Sequence, residues 1–238
     1  MRVALVGTDT DCGKTEVACA LLRAARAAGV RALPFKPAAS GADGPAGDPE
    51  RLVAAAGLAG LSAAEVCPLH YAAPVAPGLA EPGGTDMSWG TWHEGHVVSE
   101  GGPLARVRAA LGGLEARYAP TLTVIEGAGG LWVPMPGGTW LPAWIAGLRA
   151  APVVVGRLGL GTINHTLLTI SELRRIGLPP RGFFLAETCA SEDPSRAHNE
   201  RVIVAASGLP CLGVLGWQAK PDAAWLRPRA WERLLGLA

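Results

Sequence analysis

Apolar runs alternate with amphipathic segments along most of the chain. Residues 3–6 and 152–155 contain only apolar side chains, which is typical of strands buried on both faces of a sheet. Residues 15–28 are rich in helix-forming residues and place apolar side chains on one face. The alternation predicts an α/β fold with a mostly parallel central sheet and helices on both faces. The predicted strands cover residues 3–6, 31–36, 122–125, 152–155, 181–186 and 210–215, and the predicted helices cover residues 15–28, 49–56, 103–117, 163–175 and 194–207.

The size and composition of the chain limit the classes of function. Its 238 residues suit one domain spanning residues 1–238. The formal net charge is +1, so we expect neither a nucleic acid nor a membrane as the main partner. No apolar run approaches the roughly 18 residues of a membrane-spanning helix. The five cysteines form no C-x-x-C pair, which favours reduced thiols in a cytoplasmic protein over a disulfide framework or a metal site.

The segment from Gly7 to Thr15 follows the first predicted strand and leads into the first predicted helix. It is a variant of the phosphate-loop pattern G-x-x-x-x-G-K-[ST], because Thr8 stands where the first glycine is expected. In such a loop, backbone N–H groups bind an anion, Lys14 contacts the β- and γ-phosphates, and the Thr15 hydroxyl ligates Mg²⁺. The sequence predicts a P-loop NTPase-like domain that binds a nucleotide and Mg²⁺; the alternative is an ordinary strand–turn–helix junction rich in small residues.

Polar residues also follow the other predicted strands. Lys36 ends the strand at 31–36, Glu126 follows the strand at 122–125, and Glu187 follows the strand at 181–186. Because the carboxyl ends of parallel strands share one edge of a sheet, we expect these side chains to form an active site there.

Lysine is rare in this chain. Lys14, Lys36 and Lys220 are the three lysines among 21 basic residues. A compact ammonium fits inside a phosphate loop where a planar guanidinium does not. The choice of lysine at positions 14 and 36 therefore favours a role in anion binding, whereas we expect Lys220 to be a solvated surface residue.

Three oxygen-bearing side chains are candidates for a magnesium site. Mg²⁺ takes one or two carboxylates together with phosphate oxygens and water, and Thr15, Asp48 and Glu126 could supply such a set. Both carboxylates have an alternative interpretation. Asp48 precedes Pro49 and could be a helix N-cap, and Glu126 could be a capping or loop carboxylate.

Four motifs, taken together, resemble the dethiobiotin synthetase family. They are the phosphate loop at residues 7–15, Lys-Pro-Ala-Ala-Ser-Gly at 36–41, Glu-Gly-Ala-Gly-Gly at 126–130 and Gly-Thr-Ile-Asn-His at 161–165. Their order and spacing match along nearly the whole chain. The resemblance implies a ligase that uses ATP and Mg²⁺ to carboxylate 7,8-diaminononanoate with CO₂. The implied reaction passes through a carbamate and a carbamic-phosphoric anhydride and closes the ring of dethiobiotin.

The resemblance also implies roles for individual residues. Lys36 and Lys14 would be catalytic, Thr15, Asp48 and Glu126 would hold the metal ion, and the substrate would contact Thr10, Ser40, Thr162 and Asn164. The nucleotide would contact Asp11, Cys12, Gly13, Lys14, Thr15, Glu16, Asp48, Glu126, Gly127, Ala128, Gly129, Glu187, Thr188, Gly216 and Trp217.

The chain departs from the family pattern at three places. Glu187 and Thr188 stand where the family commonly has an Asn-Asp-like pair that recognises the adenine edge. A carboxylate accepts from an exocyclic amine but cannot donate to a ring nitrogen, so we expect weak discrimination between nucleotide bases. Gly78 stands where the family often has His, and Gly216 stands where Pro is usual. We expect both to affect only the rim of the site.

By the same resemblance, the chain would form a homodimer whose interface carries the substrate site. The N-terminus of the helix at 163–175 would bind the substrate carboxylate through Thr162 and Asn164; the alternative is ordinary N-capping. We expect His165 to be a buried helix residue rather than a catalyst. We expect Trp89, Trp92, His93 and His96, in the irregular region 68–100, to be loop or interface packing.

Two other functions are compatible with the phosphate loop. One is a regulatory or partitioning ATPase that dimerises when it binds nucleotide, although we find neither a basic DNA-binding helix nor an amphipathic membrane tail. The other is a nucleotide-binding module that has lost its activity.

Overall fold

The structure is a computed structural model that describes residues 1–41, 47–83, 101–190, 192–218 and 225–237. Trp89, Trp92, His93, His96 and Lys220 lie outside the described residues, so their predicted roles stay predictions. No helix within the described ranges has the length and apolar character needed to cross a membrane.

Strands and helices alternate through the chain as the sequence predicts. In chain order the elements are β1 (Arg2–Gly7), α1 (Lys14–Ala27), β2 (Ala32–Phe35), β3 (Ala39–Ser40), α2 (Asp48–Ala56), α3 (Ala63–Val66), β4 (His70–Tyr71), α4 (Pro77–Ala80), α5 (Gly102–Tyr118), β5 (Leu122–Gly130), β6 (Pro134–Met135), β7 (Thr139–Trp140), α6 (Leu141–Gly147), β8 (Ala151–Arg157), α7 (Thr162–Arg175), β9 (Phe183–Ala186), α8 (Arg196–Ser207), β10 (Cys211–Leu215) and α9 (Ala230–Leu235).

The core of the fold is a parallel sheet of six strands in the order β10-β9-β8-β1-β5-β2. β1 lies between β5 and β8, and Val3, Leu5 and Val6 in it are fully buried. Because successive strand residues face opposite sides, such continuous burial means that both faces of the sheet are covered. The predicted α/β fold with a mostly parallel sheet is confirmed.

β5 is longer than the sequence predicts. It continues past Ile125 to Gly130, so Glu126 lies within the strand rather than after it. The pairing register jumps at this point: Leu5 pairs with Glu126, but Gly7 pairs with Gly130. Three residues of β5 therefore oppose one residue of β1, and the glycine run bulges beside the loop that follows β1.

The sequence analysis missed several short elements. α6 has buried side chains from Leu141 to Ile145, and a helix that is apolar on all sides shows no periodic pattern. The hairpin of β6 and β7 has two residues in each strand, which is too short for an alternating pattern to emerge.

Gly78 in α4 packs directly against the backbone of β6. A Cβ atom at this position would lie 2.8 Å from the carbonyl oxygen of Met135 and 2.8 Å from the carbonyl carbon of Pro134. No side chain larger than hydrogen fits there without moving the hairpin, which explains the glycine at a position where a larger residue was expected.

We expect Gly78→Ala to lower the free energy of unfolding by about 1–3 kcal/mol, because overpacking against backbone forces a local shift. The matched control is Gly112→Ala in α5, where no atom lies within 4 Å of the added Cβ; this variant should gain stability by about 1 kcal/mol from helix propensity. Urea denaturation of both variants measures the difference. Equal stability of Gly78→Ala and the wild type would contradict the close packing.

Candidate active site

The loop between β1 and α1 is shaped by two glycines. A Cβ on Gly7 would lie 2.6 Å from both the Gly129 carbonyl oxygen and the Lys14 Nζ atom, and Gly13 has a φ of +93° with its hypothetical Cβ 2.7 Å from that of Ala186. Both positions therefore require glycine. Gly7 allows the backbone of the loop to approach the glycine run of β5 closely. The next residue, Thr8, donates its backbone N–H to the Val155 carbonyl oxygen at 3.0 Å, which joins the loop to β8.

Lys14 lies inside this loop. Its side chain is buried, and its ammonium donates to the Asp9 carbonyl oxygen at 2.9 Å. As the first residue of α1, Lys14 sits at the positive end of the helix dipole, where unpaired N–H groups favour an anion. The loop can therefore hold a phosphate group between backbone donors and an ammonium.

Four side chains from α1, α2, β5 and the residue after β2 meet beside the loop. The Lys36 ammonium, just beyond β2, donates to Asp48 Oδ2 at 2.5 Å and to Glu126 Oε1 at 2.7 Å. The Thr15 hydroxyl donates to the same Glu126 oxygen at 2.8 Å. Lys36 and Glu126 are almost fully buried. The structure thus brings Lys36 next to the phosphate loop and joins it to the residues predicted to bind metal.

Both alternative interpretations of the carboxylates are wrong. The N-cap of α2 is Gly47, no side chain caps that helix, and the Asp48 carboxylate contacts Lys36 instead. Glu126 lies within β5 with its side chain 1% exposed, which excludes a loop or capping carboxylate.

Opposite charges set the protonation of Lys36 and Asp48. Burial alone would lower the pKa of the Lys36 ammonium, but the attraction of Glu126 and Asp48, with hydrogen bonds to both, raises that pKa above its ordinary value. Burial would raise the pKa of the Asp48 carboxyl, yet the Lys36 charge and the hydrogen bonds from Lys36 and Thr15 lower it. Lys36 and Asp48 are therefore both charged at neutral pH.

The donor set fits a magnesium ion carried by a nucleotide. Glu126 Oε2 is buried and has no hydrogen-bond partner, which leaves one oxygen of this carboxylate with capacity for a cation. Within the described ranges no three His, Cys, Asp or Glu side chains gather in a metal-binding group. Two carboxylates and a hydroxyl suit Mg²⁺, which completes its shell with phosphate oxygens and water.

These residues line an open cleft of about 670 Å³, a size typical of ligand pockets. Most of the predicted site residues lie along it: Thr10, Asp11, Gly13, Lys14, Thr15, Glu16, Lys36, Ser40, Asp48, Glu126, Gly127, Ala128, Gly129, Glu187, Thr188 and Trp217.

Glu187 at the far end of the cleft already has partners. Its Oε1 accepts from Arg196 Nη1 at 3.0 Å, and its Oε2 accepts from the backbone N–H of Trp217 at 2.8 Å. Both carboxylate oxygens are therefore engaged within the protein. The carboxylate joins α8 to the segment after β10, rather than pointing unpaired into the cleft.

Four predicted site residues do not line the cleft: Cys12, Thr162, Asn164 and Gly216. Cys12 is buried in the loop, and the Thr162 hydroxyl lies 3.3 Å from that of Thr166 within α7. Asn164 is exposed, and no side chain caps α7, so the N-capping alternative for this segment is wrong.

The prediction that His165 is buried is wrong. His165 is exposed, because the face of α7 that packs inward carries Thr162, Thr166 and Ile170, and His165 lies off that stripe.

Sequence reasoning missed Arg51, Val133 and residues 74–77 of the cleft. Arg51 pairs with Glu16 and so links α2 to α1. Arg51 lies three residues after Asp48, so both share one face of α2, and this spacing could have indicated Arg51 as a site residue. Residues 74–76 are irregular and Pro77 begins α4; these residues carry no motif that points to a ligand.

Relatives of known identity match the chain over most of its length. It is 44% identical over 222 residues to the ATP-dependent dethiobiotin synthetase BioD of Anaeromyxobacter dehalogenans (strain 2CP-C), which covers 92% of this chain and 91% of the relative. It is 33% identical to the protein of the same name from Bacillus cereus (strain B4264), covering 89% of this chain and 81% of the relative. The family described as AAA domain matches residues 1–224. The chain belongs to the ATP-dependent dethiobiotin synthetase family. It is therefore a ligase.

Solved structures share the fold of this dethiobiotin synthetase family member at low identity. Chloroplast FtsY from Physcomitrella patens superposes with a TM-score of 0.56 at 16% identity, covering 98% of this chain and 64% of that chain. The signal recognition particle 54 kDa protein from Aeropyrum pernix K1 gives a TM-score of 0.53 at 16% identity, covering 99% of this chain and 46% of that chain. The chain spans less than two thirds of either neighbour, and the likeness shows the fold alone.

We expect Lys36→Met to raise the pKa of Asp48, because the lowering charge and hydrogen bond disappear while burial remains. In the wild type, the lowered Asp48 pKa contributes stability that is present above the unfolded pKa of 3.8 and is lost as the pH falls through the folded value. Carbon-13 NMR titration of the Asp48 carboxyl measures the shift.

Arg51→Met is the control for this titration. Its Nη1 is 4.0 Å from Asp48 Oδ1, so its removal should move the Asp48 pKa less. An unchanged pKa of Asp48 in Lys36→Met would show that the ion pair does not govern this carboxyl.

Proposed function

We propose that this single-domain chain is a dethiobiotin synthetase that uses ATP and Mg²⁺ to carboxylate 7,8-diaminononanoate with CO₂ and close it to dethiobiotin, a step of biotin synthesis. The observation that carries the proposal is the placement of Lys36. Its buried ammonium lies at the carboxyl edge of the sheet, joined through Glu126 to Thr15 of the phosphate loop. Family membership supports the same reaction.

The proposed chemistry has three balanced steps. One amine of the diamine adds to CO₂ and loses a proton, which gives a carbamate. A carbamate oxygen attacks the γ-phosphorus of ATP, ADP leaves, and a carbamic-phosphoric anhydride forms. The second amine attacks the carbonyl carbon, the C–O bond to phosphate breaks, and inorganic phosphate and the cyclic urea are released.

The chain's own residues serve this reaction by positioning and by charge. The carbamate and the triphosphate are both anions, so their approach requires concentrated positive charge. Lys14 and the backbone donors of the loop hold the phosphates, and Lys36 steadies the carbamate and the transferring phosphoryl group. Thr10 and Ser40, which line the same cleft, donate hydrogen bonds to the carbamate or the diamine.

Thr15, Asp48 and Glu126 would hold Mg²⁺, which when bound neutralises charge on the phosphate oxygens. The nucleotide runs along the cleft past Asp11, Gly13, Glu16 and the glycine run at 127–129, with its base at the end formed by Thr188 and Trp217. Cys12 and Gly216 do not line the cleft, so we assign them backbone contacts with the nucleotide only.

We further propose a homodimer with the substrate site at its interface. Thr162 and Asn164 at the start of α7 lie outside the cleft of the single chain. Leu160, two residues before α7, and Leu168, in the middle of that helix, are 79% and 62% exposed. A second copy covering this face would complete the site for the substrate carboxylate at the helix N-terminus.

Purified protein with the diamine, bicarbonate and Mg-ATP should release phosphate only when the diamine is present. A regulatory ATPase would release phosphate without the diamine. An inactive module would bind nucleotide in equilibrium titration but release no phosphate under any of these conditions. Either outcome would remove the proposed function.

Lys36→Ala should reduce diamine-dependent phosphate release at least roughly a hundredfold, because the carbamate loses its counter-charge. Nucleotide binding should largely survive, since Lys14 and the loop remain. Arg229→Ala is the matched control, because Arg229 pairs with Glu232 on α9 and does not line the cleft. Wild-type turnover by Lys36→Ala would rule out the role assigned to this residue.

We expect a small preference for ATP over GTP or CTP, below about a hundredfold or roughly 2.7 kcal/mol in kcat/KM. Both oxygens of Glu187 are engaged by Arg196 and Trp217, so this side chain has little left with which to select a base. Glu187→Gln is the control, and it should change the kcat/KM of all three nucleotides by a similar factor. A larger ATP preference that disappears in Glu187→Gln would mean that the carboxylate recognises adenine.

A further inference from the structure

The Lys36 ammonium occupies the space between the two carboxylates that suit a metal ion. It lies 2.5 Å from Asp48 Oδ2 and 2.7 Å from Glu126 Oε1. The Thr15 hydroxyl shares the second of these oxygens. Lys36 therefore contacts Asp48 and Glu126 directly and is linked to Thr15 through the shared Glu126 oxygen.

Electrostatics explains why an ammonium lies there. Two carboxylates brought together at this edge repel each other and lose part of their hydration, and a cation placed between them offsets both costs. The two oxygens that Lys36 contacts, Asp48 Oδ2 and Glu126 Oε1, cannot bind an ammonium and a divalent ion at the same short distance. The unpartnered Glu126 Oε2 gives a metal ion one ligand by itself, so an ion held by both carboxylates through the contacted oxygens has to displace Lys36.

We propose that Lys36 is the resident counter-ion of Asp48 and Glu126 and that a divalent cation binds this cluster only by displacing it. The displaced ammonium is then free to contact the anionic substrate. This inference rests on the proposed function, since it assigns a second role to the residue that would bind the carbamate. It makes the availability of Lys36 depend on the arrival of the metal ion.

Displacement also gives a reason for the metal ion to enter with the nucleotide. A bare ion has to replace the Lys36 contacts with only two carboxylates and a hydroxyl in return, whereas phosphate oxygens add ligands that offset the lost ion pairs. Metal and nucleotide should therefore each increase the affinity of the other, as linkage requires.

Lys14 provides a matched comparison. It carries the same charge in the same cleft, but its ammonium donates to the Asp9 carbonyl oxygen rather than to a carboxylate of the cluster. Removing the Lys14 charge makes the electrostatic potential of the cleft more negative, but it leaves the ion pairs of Asp48 and Glu126 with Lys36 in place.

The first experiment measures Mn²⁺ binding, by electron paramagnetic resonance of free Mn²⁺, to the wild type, Lys36→Met and Lys14→Met, without nucleotide or diamine. We expect Lys36→Met to bind Mn²⁺ at least roughly tenfold more tightly than the wild type, because the buried Glu126 carboxylate and the half-exposed Asp48 carboxylate have lost their counter-ion. Lys14→Met should stay within about threefold of the wild type. Adding Asp48→Asn to Lys36→Met should abolish the gain.

An unchanged Mn²⁺ affinity in Lys36→Met overturns the inference, and so does an equal gain in Lys14→Met, which would reflect general charge alone. Neither measurement uses the diamine. Failure of the proposed carboxylation is therefore distinguished from failure of the cation exchange.

A second experiment follows the ammonium in the wild type, and a conservative variant serves only to assign its signal. The chain has three lysines, so nitrogen-15 labelling of lysine Nζ gives few signals, and Lys36→Arg assigns that of Lys36. We expect the Lys36 signal to move with Mg²⁺ and a non-hydrolysable ATP analogue and to keep its position with the analogue and a chelator. A signal that ignores the metal ion would show that Lys36 is not displaced.

Discussion

The balance of charge around Lys36 is the constraint on which the site depends. Asp48 and Glu126 come from a helix and a strand that are far apart in the chain, and both approach the phosphate loop. Without a cation between them, their repulsion and their lost hydration would oppose the packing of α2 against the sheet edge. The Lys36 ammonium pairs with both carboxylates, so the residues of the proposed metal site lie together in the folded chain without a ligand.

Close backbone packing supports that arrangement. The loop after β1 and the glycine run of β5 approach so closely that Gly7 tolerates no Cβ. The bulge in β5 brings the segment from Gly127 to Gly129 beside the loop while Glu126 keeps its pairing with Leu5. One strand therefore supplies both a buried carboxylate and a glycine-lined wall of the cleft.

Particular residues show how far the sequence could predict this site. Lys36, Glu126 and the phosphate loop each follow or end an apolar strand, and parallel strands place such residues at one edge, so their convergence was predictable. The partners of Glu187 were not, because Arg196 and Trp217 reach it from other elements through side-chain and backbone contacts. The exposure of His165 depends on which face of α7 packs against the rest of the protein. Three of the buried residues on that face are threonines, so the apolar pattern of the sequence does not identify the buried face.

The sequence by itself determined the parallel α/β sheet, the phosphate loop and the family, because these depend on local periodicity and on motifs that are contiguous in the chain. The tertiary structure alone decided that the Lys36 ammonium sits between two carboxylates, that Gly78 has no room for a side chain, and that Glu187 is held within the protein. These features are distances between elements remote in sequence. They are set by packing and charge balance in the folded chain, and no local pattern records them.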